Sequence, residues 1–185
     1  EISAEEIQLL ENHKFEEITT LFWRNSNLNF DNISSLIKSL DEKPKKSWLR
    51  RIHECEDEKV LKYFLKDLNT NKINENENEL KLLWECCQIP DFVKKTYGNH
   101  FEVIGNVFKF LTSKKGLISE DYIRLQLMKL DKLDGNVDSL SNRIANVRTW
   151  SYVSNKNNWV ENQNYWIEKT KHLEDKLSDR LHEDL

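Results

Sequence analysis

Glycine and proline are almost missing from this chain: four Gly and two Pro in 185 residues, against a usual combined share of about 12%. β-rich folds and repeated βα units need many tight turns, and tight turns draw on those two residues. Their scarcity, with abundant Glu, Lys and Leu, predicts long helices. No apolar run reaches the roughly 18 residues that suggest a membrane-spanning helix. Cysteine is limited to Cys55, Cys86 and Cys87. An odd number with two adjacent makes no disulfide framework, which points to a reducing, cytoplasmic setting. No signal-peptide pattern precedes the first residue, and that residue is Glu1 rather than Met. The expectation is therefore a piece of a larger protein. The Gly-rich loop that cradles phosphates is also lacking, as are internal repeats and clear alternating strands.

Charge and aromatic residues are plentiful. There are 28 Lys and Arg against 32 Asp and Glu, a formal charge of −4, with six Trp, eight Phe and five Tyr. The aromatics supply a core, so a disordered chain is excluded despite the charge. Apolar spacing predicts a short helix ending near His13, with Ser3 and Glu6 at capping-box spacing. It predicts a second helical segment from Phe15 and Ile18 through Leu21 and Phe22 to Trp23. Asp31 can cap a helix carrying Ile33, Leu36, Ile37 and Leu40, and Leu61, Phe64, Leu65 and Leu68 line another. Leu80, Leu83, Trp84 and Cys87 share a face, and Gly98 fits a helix C′ position. The helix after Ser119 carries Ile123, Leu127 and Leu130 on one side with Leu125 and Met128 on others, so burial on more than one side is expected. After the turn Asp134-Gly135-Asn136, a long helix turns Leu140, Ile144, Val147, Trp150 and Val153 inward. A last helix does the same with Trp166, Leu173, Leu177 and Leu181. The fold class is all-α, a multi-helix bundle with irregular connections. Residues 69–79 (NTNKINENENE) mark a break, giving 1–75 as an N-terminal helical segment and 76–185 as a C-terminal helical bundle.

Candidate sites are few. Adjacent Cys86 and Cys87 lie about 100° apart on a helix, which suits core thiols better than zinc ligands. His53 beside Cys55 is a weak metal signal. No Ser/His/Asp set follows from spacing, so no catalytic, cofactor-binding or metal-binding residue is assigned. Glu174 and Asp175 among Lys171, Lys176 and Arg180 read as an ion-laced solvated face. Two basic groupings could meet phosphates. Lys45, Lys46, Arg50 and Arg51 cluster beside Trp48, and Arg143 and Arg148 lie on the long helix with only Asp138 nearby to oppose them. Trp159, after a polar break, is the open aromatic that could stack a base.

Residues 83–92 (LWECCQIPDF), 116–153 and 159–184, with Trp159, Trp166 and the stretch LEDKLSDRLHED in that order, carry a resemblance. Residues 11–13 (ENH), Phe15 and 23–30 (WRNSNLNF) extend it over nearly the whole chain. The sequence resembles the region after the helicase core of bacterial relatives of the mitochondrial degradosome RNA helicase, which are superfamily-two, DExH-type enzymes. The resemblance implies an ATP-hydrolysing parent that remodels RNA or single-stranded DNA. ATP and Mg²⁺ would belong to its RecA-like motor domains, since none of their motifs matches here. This part would pack on the motor as a non-catalytic accessory module and border the nucleic-acid channel. The alternative is a protein-docking scaffold that recruits a ribonuclease or another partner. A contiguous exposed apolar patch would favour docking, and a positive surface would favour nucleic acid.

Overall fold

The computed structural model describes residues 4–14, 20–67, 76–94 and 97–183. Ser3, Phe15, Ile18, Leu68 and most of the 69–79 break lie outside the described residues. Among those described, the chain forms eight helices and two three-residue strands, the all-α class expected from the dearth of Gly and Pro. It divides into two compact units, Glu1–Glu54 and Cys55–Leu185.

The first unit contains α1 (Ala4–Glu11), β1 (Leu21–Trp23), α2 (Ile33–Leu40) and β2 (Leu49–Arg51). The expected helical run into Trp23 is corrected here. Leu21, Phe22 and Trp23 are extended and pair in parallel with Leu49, Arg50 and Arg51. The pairing is non-local, and nothing in a three-residue run announces it. The cap of α2 is also one residue later than expected: Asn32, not Asp31, accepts the Ser35 amide at 2.8 Å. Buried Asn25 fastens the 24–31 loop to that helix. Its Nδ2 donates to the Ser39 carbonyl at 2.9 Å and to Glu42 Oε2 at 2.8 Å, so a polar group taken out of water keeps partners.

The second unit is a helical bundle of α3 (Glu56–Asp67), α4 (Glu77–Cys87), α5 (Tyr97–Leu111), α6 (Glu120–Leu130), α7 (Val137–Ser154) and α8 (Gln163–Glu183). α3 packs on α4, α4 on α5, α6 on α7 and, most extensively, α7 on α8. Leu80, Leu83 and Cys86 of α4, Ile104 and Val107 of α5, Leu140 and Val147 of α7, and Trp166 and Leu177 of α8 are buried. Tyr63 stacks on Phe101 at 4.0 Å. A Cβ on Gly105 would lie 3.4 Å from the Phe64 ring, so the missing side chain lets that ring come close.

Three expectations change in this unit. Gly98 is not a helix terminator but sits in the first turn of α5. α6 buries Ile123 and Leu127 but leaves Leu125 56% and Met128 62% exposed, so it is buried on one side only. Trp159 is 4% exposed rather than open. The Ile118 amide donates to the Trp159 carbonyl at 2.9 Å, and this short parallel bridge holds the indole inside. Gly135 behaves as the turn composition requires. Its φ is +113°, and a Cβ there would stand 3.0 Å from that of Ser139.

Candidate functional site

Of the four basic residues read around Trp48, three face outward. Lys45, Lys46 and Arg50 are exposed, and Lys46 Nζ lies 5.0 Å from the centre of the Trp48 ring. Arg50 is the register partner of Phe22 on the neighbouring strand. Paired residues on adjacent strands project to the same side of a sheet. Phe22 is 68% exposed and Trp48 46% exposed. The Leu21 amide donates to the Trp48 carbonyl at 3.0 Å, which brings Trp48 to the start of β1. Two solvent-facing rings and Arg50 thus share one side of the strand pair, with Lys46 against the Trp48 ring and Lys45 exposed next to it in sequence. Residues 20–54 carry seven Lys and Arg against four Asp and Glu, opposite in sign to the whole chain.

Arg51 has a different task. Its Nε and Nη2 donate to the Leu40 carbonyl at 3.2 and 3.1 Å, its Nη1 donates to the Ile52 carbonyl at 3.2 Å, and Nη2 pairs with Asp41 at 2.9 Å. The guanidinium closes the C-terminus of α2, where carbonyls lack helical partners and a cation complements the helix dipole.

Arg143 and Arg148 are likewise engaged inside the second unit, and the expectation that only Asp138 opposes them is corrected. Arg143 Nη1 donates to the Lys132 carbonyl at 2.7 Å and to the Asp134 carbonyl, and Nη2 is 3.6 Å from the Asp134 carboxylate. It ties the α6–α7 turn to α7. Arg148 Nε donates to Glu174 Oε1 at 2.7 Å, joining α7 to α8. Acidic partners supplied from the 131–136 turn and from another helix are invisible to a reading of α7 alone.

Cys86 and Cys87 are core groups, whereas Cys55 is half-buried. Burial raises the thiol pKa of Cys86 and Cys87, holding both protonated and poorly nucleophilic. Cys87 and His100 border a depression of about 260 Å³ with Cys55 and Asp91. His100 Nε2 donates to the Ile89 carbonyl at 3.1 Å, and burial lowers the pKa of its ring against the opposing pull of Asp91. The neutral imidazole holds a backbone carbonyl there, and the adjacent Cys87 supplies no thiolate. Among the described residues, no group of three or more His, Cys, Asp or Glu is placed to hold a metal ion, and no helix is long and apolar enough to cross a membrane.

Unanticipated from the sequence is a groove of about 290 Å³ bordered by α6 and α8. Leu127, Met128 and Trp166 give it apolar surface, and Arg124, Lys169 and Lys176 add charge. Residues of α8 adjoining its buried stripe form this surface, so the stripe's spacing was the available signal. No protein-family model, curated protein or solved structure matches the chain.

Proposed function

We propose that this chain is the helical accessory part of an ATP-dependent helicase and guides single-stranded nucleic acid, with RNA as the first candidate, across the outer side of β1 and β2. The observation that carries the reading is the pairing of exposed Phe22 with exposed Arg50, beside Lys45, Lys46 and the Lys46–Trp48 cation–ring pair. Bases of any identity stack on aromatic rings, and cations beside the rings neutralise phosphates. The sequence resemblance supplies the helicase context. ATP and Mg²⁺ act in RecA-like motor domains of the parent, which also serve as this part's packing partners, in the cytoplasm. The residues meeting nucleic acid are Lys45, Lys46, Arg50, Phe22 and Trp48. Arg51, Arg143 and Trp159 hold structure instead, and Arg148 is paired with Glu174 on the second unit.

The test is a fluorescence-anisotropy titration of a labelled single-stranded oligonucleotide with the whole chain at low salt. Phe22→Ala weakens binding by about 1–3 kcal/mol, the worth of one base stacked on an aromatic ring. Arg50→Gln weakens it further and lowers its salt dependence. Equal affinity of wild type and a Phe22→Ala/Arg50→Gln double variant would reject the reading.

A further inference from the structure

The α6–α8 groove combines features that the nucleic-acid reading does not use. On α8, Tyr165, Lys169, His172 and Lys176 follow one another at steps of four, three and four residues, one position away from the buried Trp166-Thr170-Leu173-Leu177 stripe. On α6, Arg124, Met128 and Asp131 repeat the spacing into the helix cap. Two side-chain rows at this spacing, with a depression between, form the surface into which a third helix packs its own ridges. The volume of about 290 Å³ lies just below the range of small-molecule clefts, roughly 300–1,000 Å³. It suits a few apolar side chains better than a cofactor.

The chemistry of the lining selects the occupant. Met128 on α6 and Tyr165 on α8 line the groove and are each more than half exposed. Leu and Met gain little from phosphates or bases but much from apolar side chains, and Met adapts to varied partners. Around them stand Arg124, Lys169 and Lys176, with Asp131 the one acidic lining residue. Lys169 has no ion-pair partner among the described residues. The two pairs present, Arg124–Asp121 at 2.7 Å and Lys176–Asp131 at 2.5 Å, are solvent-exposed and reorganise at little cost. Trp166 adds a separate observation. It is 2% exposed and forms part of the groove floor, with its indole Nε1 enclosed and without a hydrogen-bond partner among the described residues.

We infer that the α6–α8 groove is a docking site for an acidic amphipathic helix of a protein partner, whose apolar side chains enter between Met128 and Trp166 and whose carboxylates meet Arg124, Lys169 and Lys176. Helix-in-groove recognition reads anchors at i, i+3 or i+4, and i+7. The site uses none of the residues assigned to nucleic acid, so the two readings stand or fall separately.

The experiment selects a displayed library of random peptides of about 15 residues, roughly 22 Å of helix, against the whole chain. Recovered peptides are expected to converge on apolar residues at helical spacing flanked by Asp and Glu. Lys169→Glu and Met128→Asp, both on exposed side chains, each weaken those peptides at least about tenfold, the first by opposing the peptide's carboxylates and the second by placing charge against its apolar anchors. Phe22→Ala leaves their binding unchanged. Circular dichroism melts confirm that both groove variants fold. Recovery of no peptide, of peptides without acidic bias, or of peptides indifferent to both groove variants would overturn the inference. So would an oligonucleotide that shields Lys169 and Lys176 from acetylation.

Discussion

At the scale of the residue, the positively charged side chains separate by what they touch. Arg51 closes α2 through the Leu40 carbonyl and Asp41, whereas Arg50, one position earlier, faces solvent beside Phe22. Arg51→Ala should therefore expose α2 amides to hydrogen exchange, with a loss of about 1–3 kcal/mol from orphaned carbonyls and the broken ion pair. Arg50→Ala should leave that exchange unchanged. His100 yields a pH prediction. Its unfolded side chain takes a proton near the ordinary 6.5, and the buried native ring does so only at lower pH. The unfolded state then binds more protons, so this contribution to stability is full above about pH 6.5 and shrinks as pH falls. Urea midpoints followed from about pH 8 to 5 should decline less steeply for His100→Gln than for wild type.

Among elements, the α7–α8 pair is the framework of the second unit, and buried positions on it should dominate stability. Leu177→Ala is expected to cost about 2–5 kcal/mol, as for other fully buried leucines. Leu125→Ala on the open side of α6 should stay within about 0.5 kcal/mol. Equilibrium denaturation of the two variants checks both. These faces differ in how well the sequence announces them. Leu140, Ile144, Val147, Trp150 and Val153 repeat at helical spacing, and all five are buried as that spacing requires. Leu125 and Met128 carry the same apolar character without a covering element, and a one-dimensional pattern cannot distinguish a buried side from an open one. The strands were illegible for another reason. Leu21–Trp23 is too short to show alternation, and its partner lies 28 residues later in the Leu21–Leu49 register. The aromatic–cation surface follows from that pairing, so Phe22 is invisible as a surface residue in one dimension, while Lys45, Lys46 and Arg50 are not. Trp159 defies its polar surroundings because its burial depends on a bridge to Ile118.

For the molecule as a whole, the −4 formal charge hides an uneven distribution. Residues 20–54 are net positive, and Lys45, Lys46 and Arg50 stand on their exposed side. Neutralising three phosphates of a single strand predicts that log K falls with log salt at a slope of about −2. Arg50→Gln should reduce its magnitude to about 1.4, which a titration over several salt concentrations resolves. The most direct measurement is ultraviolet cross-linking of a single-stranded oligouridine to the whole chain, followed by mapping of the modified peptides. Adducts on Phe22 and Trp48, lost together with retained oligonucleotide in the Phe22→Ala/Arg50→Gln variant, are the predicted result. Adducts confined to α7 or α8, with none on Phe22 or Trp48, would contradict it.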